Sequence, residues 1–140
     1  MLWTDGGSRG NPGPAAIGYV LVGADGTVLA ERAAPIGVAG ANVAEYRALL
    51  AGLEHARRLG LDRVDARCDA RLVVDHVTGV REPANPRLRA LCDRVRDEAQ
   101  HIGTVALTWI PADANGRAHA LVAEALAAPK PAAGIEPATS

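Results

Sequence analysis

The 140-residue sequence has no internal repeat and no apolar run near the roughly 18–20 residues a membrane-spanning helix needs, which excludes a helical membrane protein. Its opening residues, Met1-Leu2-Trp3-Thr4-Asp5, lack the basic start and apolar stretch of a secretion signal, so the expected location is cytoplasmic. Cysteine is scarce. Cys68 and Cys92 are too few for a disulfide framework, and they read as buried reduced thiols. Lysine is scarcer: of the 15 cationic residues only Lys130 is lysine and the rest are arginine, which favours planar, bidentate contacts wherever a cation meets a phosphate. An excess of charge of one sign is also missing. With a net charge of −1, the whole-molecule field carries no polyanion-binding signal, and any contact with nucleic acid has to be local. What is present is 49% hydrophobic and 22% charged residues, enough for one domain with a sizeable core.

Along the chain, Met1–Thr4 predicts a short strand running into a loop, because residues 5–14 carry four glycines and two prolines. Ile17–Val22 and Thr27–Ala33 are β-rich and flank Gly23-Ala24-Asp25-Gly26, whose Asp-Gly step predicts a hairpin. From Asn42 the apolar period changes to three and four, through Tyr46, Leu49, Leu50, Leu53 and Ala56, predicting a helix that ends at Leu59-Gly60. Arg63–Cys68 then reads as a strand, Asp69–Thr78 as a helix closed by Gly79, Asn85–Gln100 as a helix, and Thr104–Ile110 as a strand. Pro111–Gly116 is read as a loop and Arg117–Ala127 as a last helix. The Pro- and Ala-rich residues 128–140 have no apolar periodicity and read as a tail or linker after a domain of residues 1–127. A hairpin followed by alternating strands and helices predicts an α/β fold, a mixed sheet flanked by helices.

Three acids stand where this reading puts strand ends or helix starts: Asp5, Glu45 and Asp69. Each has an ordinary explanation. Asp5 before two glycines suits a turn, Glu45 three residues after Asn42 suits a capping box, and Asp69 suits the N-cap of its helix. Yet Asp5 and Asp69 both close short apolar strands, where sites gather in α/β sheets. Three converging carboxylates repel one another unless cations bind among them, and all-oxygen ligands suit Mg²⁺ or Mn²⁺. Two such ions about 3.5–4 Å apart can serve phosphodiester hydrolysis.

The runs Thr4-Asp5-Gly6-Gly7-Ser8-Arg9-Gly10-Asn11-Pro12-Gly13-Pro14, Asn42-Val43-Ala44-Glu45-Tyr46 and Cys68-Asp69-Ala70, with the late Trp109-Ile110-Pro111, resemble ribonuclease H, type 1, over roughly residues 1–127. The resemblance implies a ribonuclease H-like, five-stranded mixed sheet whose first three strands are antiparallel. It implies a metal-dependent endonuclease that cuts the RNA strand of an RNA–DNA hybrid by a two-metal mechanism, leaving 5′-phosphate and 3′-hydroxyl ends. It maps Asp5, Glu45 and Asp69 onto metal ligands, with Asp5 bridging both ions, and Asn11 and Asn42 onto residues that meet the hybrid's minor groove, where 2′-hydroxyls mark RNA. Arg9 and Arg71 are placed as substrate contacts at phosphates.

The departures from the family pattern shape the expectations. In Asn115-Gly116-Arg117-Ala118-His119, His119 stands where the family has its fourth carboxylate, so His119 is expected among the catalytic and metal residues, with Mn²⁺ preferred over Mg²⁺. Asp113 is a spare loop acid nearby, and Ala41 and Ala70 replace polar residues common in the family. Only Val80–Pro86 separate the second and third helices, leaving no room for the basic protrusion of some members. Affinity is then expected to rest on the sheet-end site, on Arg9, and on Arg71 or Arg117, in a monomer helped by a fused or partner domain beyond Ser140. The rival reading is a non-catalytic module that binds hybrids or double strands and has a decayed metal site. Nuclease action on double-stranded RNA or a DNA junction is a third.

Overall fold

The computed structural model describes residues 1–127; the predicted tail, 128–140, lies outside the described residues. Five strands, β1 (Leu2–Ser8), β2 (Gly13–Val22), β3 (Val28–Ala39), β4 (Arg63–Cys68) and β5 (Thr104–Trp109), form one sheet of order β3-β2-β1-β4-β5. β1, β2 and β3 pair antiparallel, whereas β4 runs parallel to both β1 and β5, as expected. The helices are α1 (Ala41–Arg58), α2 (Arg71–Val77), α3 (Pro86–Ile102) and α4 (Gly116–Ala127), with one 3-10 turn at Ala112–Ala114 inside the predicted loop.

The predicted stop signals act as such. Gly60 and Gly79 take the left-handed conformation just after α1 and α2. Asn85 caps α3, its side chain accepting from the Arg87 and Leu88 amides, with Pro86 at the first helical position. Other boundaries need correction. β1 does not end at Thr4 but runs through Asp5, Gly6 and Gly7, which pair with Gly18, Ile17 and Ala16. Gly6 and Gly7 are strand residues, not loop residues, and Gly6 makes room for α1. β3 continues past Ala33 because Pro35, which has no amide to donate, sits on the edge strand, and a bulge there absorbs Ile36. α2 begins at Arg71 with Ala70 as its N-cap, so Asp69 caps nothing. α1 starts after Gly40 with no side-chain cap, so Asn42 and Glu45 form no capping box.

Successive strand residues point to opposite faces. A Cβ on Gly6 would overlap the Ala44 backbone of α1, and one on Gly7 would touch Val122 Cγ1 of α4 at 3.4 Å. α1 and α4 therefore cover opposite faces of β1. The main core lies on the α1 side, where Leu2, Leu21, Leu49, Leu53, Val64, Val73, Val95 and Ile102 are buried together with Tyr19 and Tyr46. The two tyrosine hydroxyls meet His55 Nδ1 at 2.6 Å and His76 Nδ1 at 2.7 Å. Cys68 and Cys92 are buried and free, as read from the sequence.

Candidate metal centre

The β1–β4 pairing stops at Thr4–Cys68 while β1 continues along β2, so β1 has no neighbour on one side from Asp5 onward. Three carboxylates meet at this gap. Asp5 projects from β1, Asp69 follows the last residue of β4, and Glu45 arrives from the second turn of α1. One oxygen from each lies within 4.8 Å of the other two. The ordinary explanations offered for Glu45 and Asp69 fail, since neither caps a helix, and Asp5 lies in a strand instead of a turn.

Two glycines make the convergence sterically allowed. Gly6 lets the α1 backbone sit directly on β1, and the Gly6 amide donates to Glu45 Oε1 at 3.0 Å. Gly18, the partner of Asp5 in the ladder, does the same for α4: a Cβ there would lie 2.7 Å from the Ala118 carbonyl oxygen and 2.8 Å from Leu121 Cβ. That seating puts His119 Nδ1 3.2 Å from Asp5 Oδ2. Buried Asn115 adds a tie, its Nδ2 donating to the Thr4 carbonyl at 2.8 Å, so that the start of α4 is fastened beside Asp5. Gly6→Ala is expected to cost about 1–3 kcal/mol by overpacking and to move Glu45 off the cluster. Gly7→Ala, whose methyl has ordinary contact distance, is expected to cost much less. Denaturant unfolding of the two variants checks this, and equal losses would count against the role given to Gly6.

Burial and mutual repulsion set the electrostatics. Asp5, 4% exposed, is pushed up to about 6, first by burial and then by Asp69, with His119 pulling the other way. Glu45 is pushed up to about 9 by burial and by Asp5 and Asp69, and burial beside Glu45 raises the Cys68 thiol to about 12. Acids so costly to ionise together fit a hard divalent cation, whose charge would offset the repulsion. Asp5, Glu45 and Asp69 are the residues that would hold it, with the His119 imidazole at the rim.

The remaining predicted residues are spread around this centre. Arg9 is exposed in the β1–β2 loop, its amide donating to the Pro14 carbonyl. Asn11 accepts from the Ala41 amide at 3.1 Å and so helps to begin α1, while Asn42 lies exposed in the first turn of that helix. Arg71 is exposed, its guanidinium 4.2 Å above the Trp109 ring. Asp113 is exposed in the 3-10 turn. Arg117 is exposed and makes a two-point ion pair with Glu31 of β3. The positioning roles of Gly6, Gly18 and Asn115 escape sequence reading. The only hint is that Gly18 is a glycine inside a β-rich run.

A five-stranded mixed sheet of this order, carrying an acidic cluster where β1 and β4 part, defines a protein of the ribonuclease H-like class. Comparison with known proteins narrows the class. A family model described as "Reverse transcriptase-like" matches residues 3–125. Ribonuclease HI of Halobacterium salinarum is 45% identical over 122 residues, covering 87% of this chain and 61% of that protein. The crystal structure of RNase H1 from the same archaeon has a TM-score of 0.86 at 44% identity, covering 89% of this chain and 95% of that one. The bifunctional protein Rv2228c of Mycobacterium tuberculosis is 42% identical, over 99% of this chain and 39% of its own length. The structure of its N-terminal RNase H domain, solved as a fusion protein with maltose binding protein, has a TM-score of 0.85 at 40% identity, covering 89% and 92%. LC11-RNase H1 in complex with RNA/DNA hybrid has a TM-score of 0.83 at 36% identity, covering 89% and 94%. The chain belongs to the ribonuclease H type 1 family. It spans about three-fifths of the halobacterial relative's length and about two-fifths of the mycobacterial one's. Among the described residues, no helix is long and apolar enough to cross a membrane.

Proposed function

We propose that this chain is a metal-dependent endoribonuclease that hydrolyses the RNA strand of RNA–DNA hybrids, leaving 5′-phosphate and 3′-hydroxyl ends. The observation that carries the reading is the meeting of Asp5, Glu45 and Asp69 within 4.8 Å on a ribonuclease H fold, with no helix cap to account for Glu45 or Asp69. Two divalent ions, Mg²⁺ or Mn²⁺, supply activation of the attacking water and stabilisation of the leaving 3′-oxygen when bound. In this reading Asp5, Glu45 and Asp69 would hold the ions, with the Glu45 carboxylate oriented by the Gly6 amide. Arg9, Asn11, Asn42 and Arg71 line the approach, the arginines toward phosphates and the amides toward the minor groove. The relative solved with an RNA/DNA hybrid supports this substrate class.

His119 is the feature that favours a second reading, a hybrid-binding module with a decayed site. Its imidazole, 71% exposed, lies 3.2 Å from the Asp5 carboxylate, which is 6% exposed, and brings no negative charge to the cluster. Imidazole suits Mn²⁺ better than Mg²⁺. Matched, labelled hybrid, RNA duplex and DNA duplex, incubated with each metal and with wild type or His119→Asp, test both readings. Wild type is expected to cut the hybrid alone, faster with Mn²⁺. His119→Asp is expected to raise Mg²⁺-dependent cleavage by about tenfold or more. Unchanged Mg²⁺ activity in His119→Asp removes the metal role of His119. Hybrid binding without cleavage by wild type under either metal establishes the binding module.

A further inference from the structure

Two of the three carboxylates are held by a hydrogen bond at the carboxylate itself. Glu45 takes the Gly6 amide and Asp5 faces His119. Asp69 is held differently. It lies in the short link between β4 and α2, and the Trp109 indole Nε1–H, reaching across from β5, donates to its backbone carbonyl at 3.1 Å. On either side the link is tied by the Ile110 amide to the Cys68 carbonyl at 3.0 Å and by the Ala70 amide to Cys68 Sγ at 3.3 Å. The indole is itself confined: it packs partly buried against the core, and the Arg71 guanidinium covers its ring at 4.2 Å.

We infer that Trp109 is a positioning residue for Asp69: its indole N–H, clamped beneath Arg71, sets the backbone from which the third carboxylate reaches the cluster. The inference rests on the metal-site reading of Asp69. Partners that orient a metal ligand without touching the ion typically change metal affinity or activity by about 10–100-fold when removed. The same stack joins the exposed Arg71 to the ligand-bearing link, so Arg71 and Asp69 share one support.

Trp109→Phe keeps a flat ring beneath Arg71 and removes the N–H together with the five-membered part of the indole. It is expected to retain the wild-type circular dichroism spectrum and cooperative melting. Mn²⁺ affinity, read from the loss of the free-ion electron paramagnetic resonance signal, is expected to weaken by about tenfold or more, with kcat lowered and KM for the hybrid within about twofold of wild type. Wild-type Mn²⁺ affinity in Trp109→Phe overturns the inference. Failure of the wild-type protein to bind Mn²⁺ removes the metal-site reading and this inference with it, so the two failures are distinguishable. A second measurement needs no variant at position 109. The chain has two tryptophans, Trp3 and Trp109, and Trp3→Phe identifies their indole N–H resonances. Mg²⁺ titration is expected to shift the Trp109 resonance and leave that of Trp3 in place, and Asp69→Asn to abolish the shift. A Trp109 resonance that stays still while the Gly6 amide moves with Mg²⁺ overturns the inference even if Trp109→Phe does not fold.

Discussion

Asp5→Asn is expected to lower hybrid cleavage by on the order of 10³-fold with either metal, and at the same time to make the metal-free protein harder to melt. The two effects have one cause. Asp5 is almost fully buried, within reach of two other carboxylates, and it ionises only at about 6, against an ordinary 3.8. Holding it charged at neutral pH costs up to about 3 kcal/mol in the absence of a cation. Asparagine has the same shape, keeps an oxygen facing His119, and carries no charge. After local relaxation a gain on the order of 1 kcal/mol is expected, or a rise of about 3 °C in melting temperature with chelator present. Cleavage assays and thermal melts of the same preparations check it. A variant that cuts normally, or one that loses both activity and stability, would remove Asp5 from the centre of the site.

The second large effect is on pH. Asp5 and Glu45 both have folded-state values raised above their ordinary ones, to about 6 and about 9. The fold therefore binds protons that the unfolded chain releases. The stability this contributes is fully present below about pH 4 and is lost as pH rises, through about 6 for Asp5 and on to about 9 for Glu45. With chelator present, the melting temperature is expected to fall between pH 5 and pH 9, and Glu45→Gln is expected to flatten the upper part of that fall. A divalent ion must displace the Glu45 proton, so its affinity is expected to rise about tenfold per pH unit between roughly 6 and 9. Mn²⁺ titration calorimetry at pH 7.5 in two buffers of different ionisation enthalpy should show about one proton released per site. No proton release, together with melting temperatures that rise with pH in chelator, would refute this account of the cluster.

How much of this was legible in the residue pattern differs from element to element. α1 and the β2–β3 hairpin were readable because a 3.6-residue apolar period and an Asp-Gly turn are local signals, written within a few residues of the structure they cause. Residues 5–7 were misread as loop for the same reason. Two glycines in a row lower strand propensity locally, and their place in β1 comes from pairing with Ile17 and Ala16 and from helices packed on both faces. Asp69 looked like an N-cap because a helix does follow. The chain turns one residue later than the period suggests, leaving its carboxylate free. The Arg117–Glu31 pair was not legible either, because nothing near Arg117 along the chain announces Glu31 on β3.

By itself the sequence determined the class of fold, the order of its elements and the chemical nature of the site. Periodicity, turn chemistry and the identities of Asp5, Glu45, Asp69 and His119 are properties of short segments. Tertiary structure alone decided that the three carboxylates meet and that His119 lies against Asp5. It did so by ending β4 at Cys68 while β1 continues, and by seating α1 on Gly6 and α4 on Gly18. It likewise decided that burial and mutual repulsion hold Asp5 and Glu45 above their ordinary ionisation range, and that Trp109 and Asn115 brace the links on either side. The physical reason is that desolvation, charge repulsion and close backbone approach depend on distance in space, and among residues this far apart in the chain that distance is set only when the sheet and its two helix layers have packed.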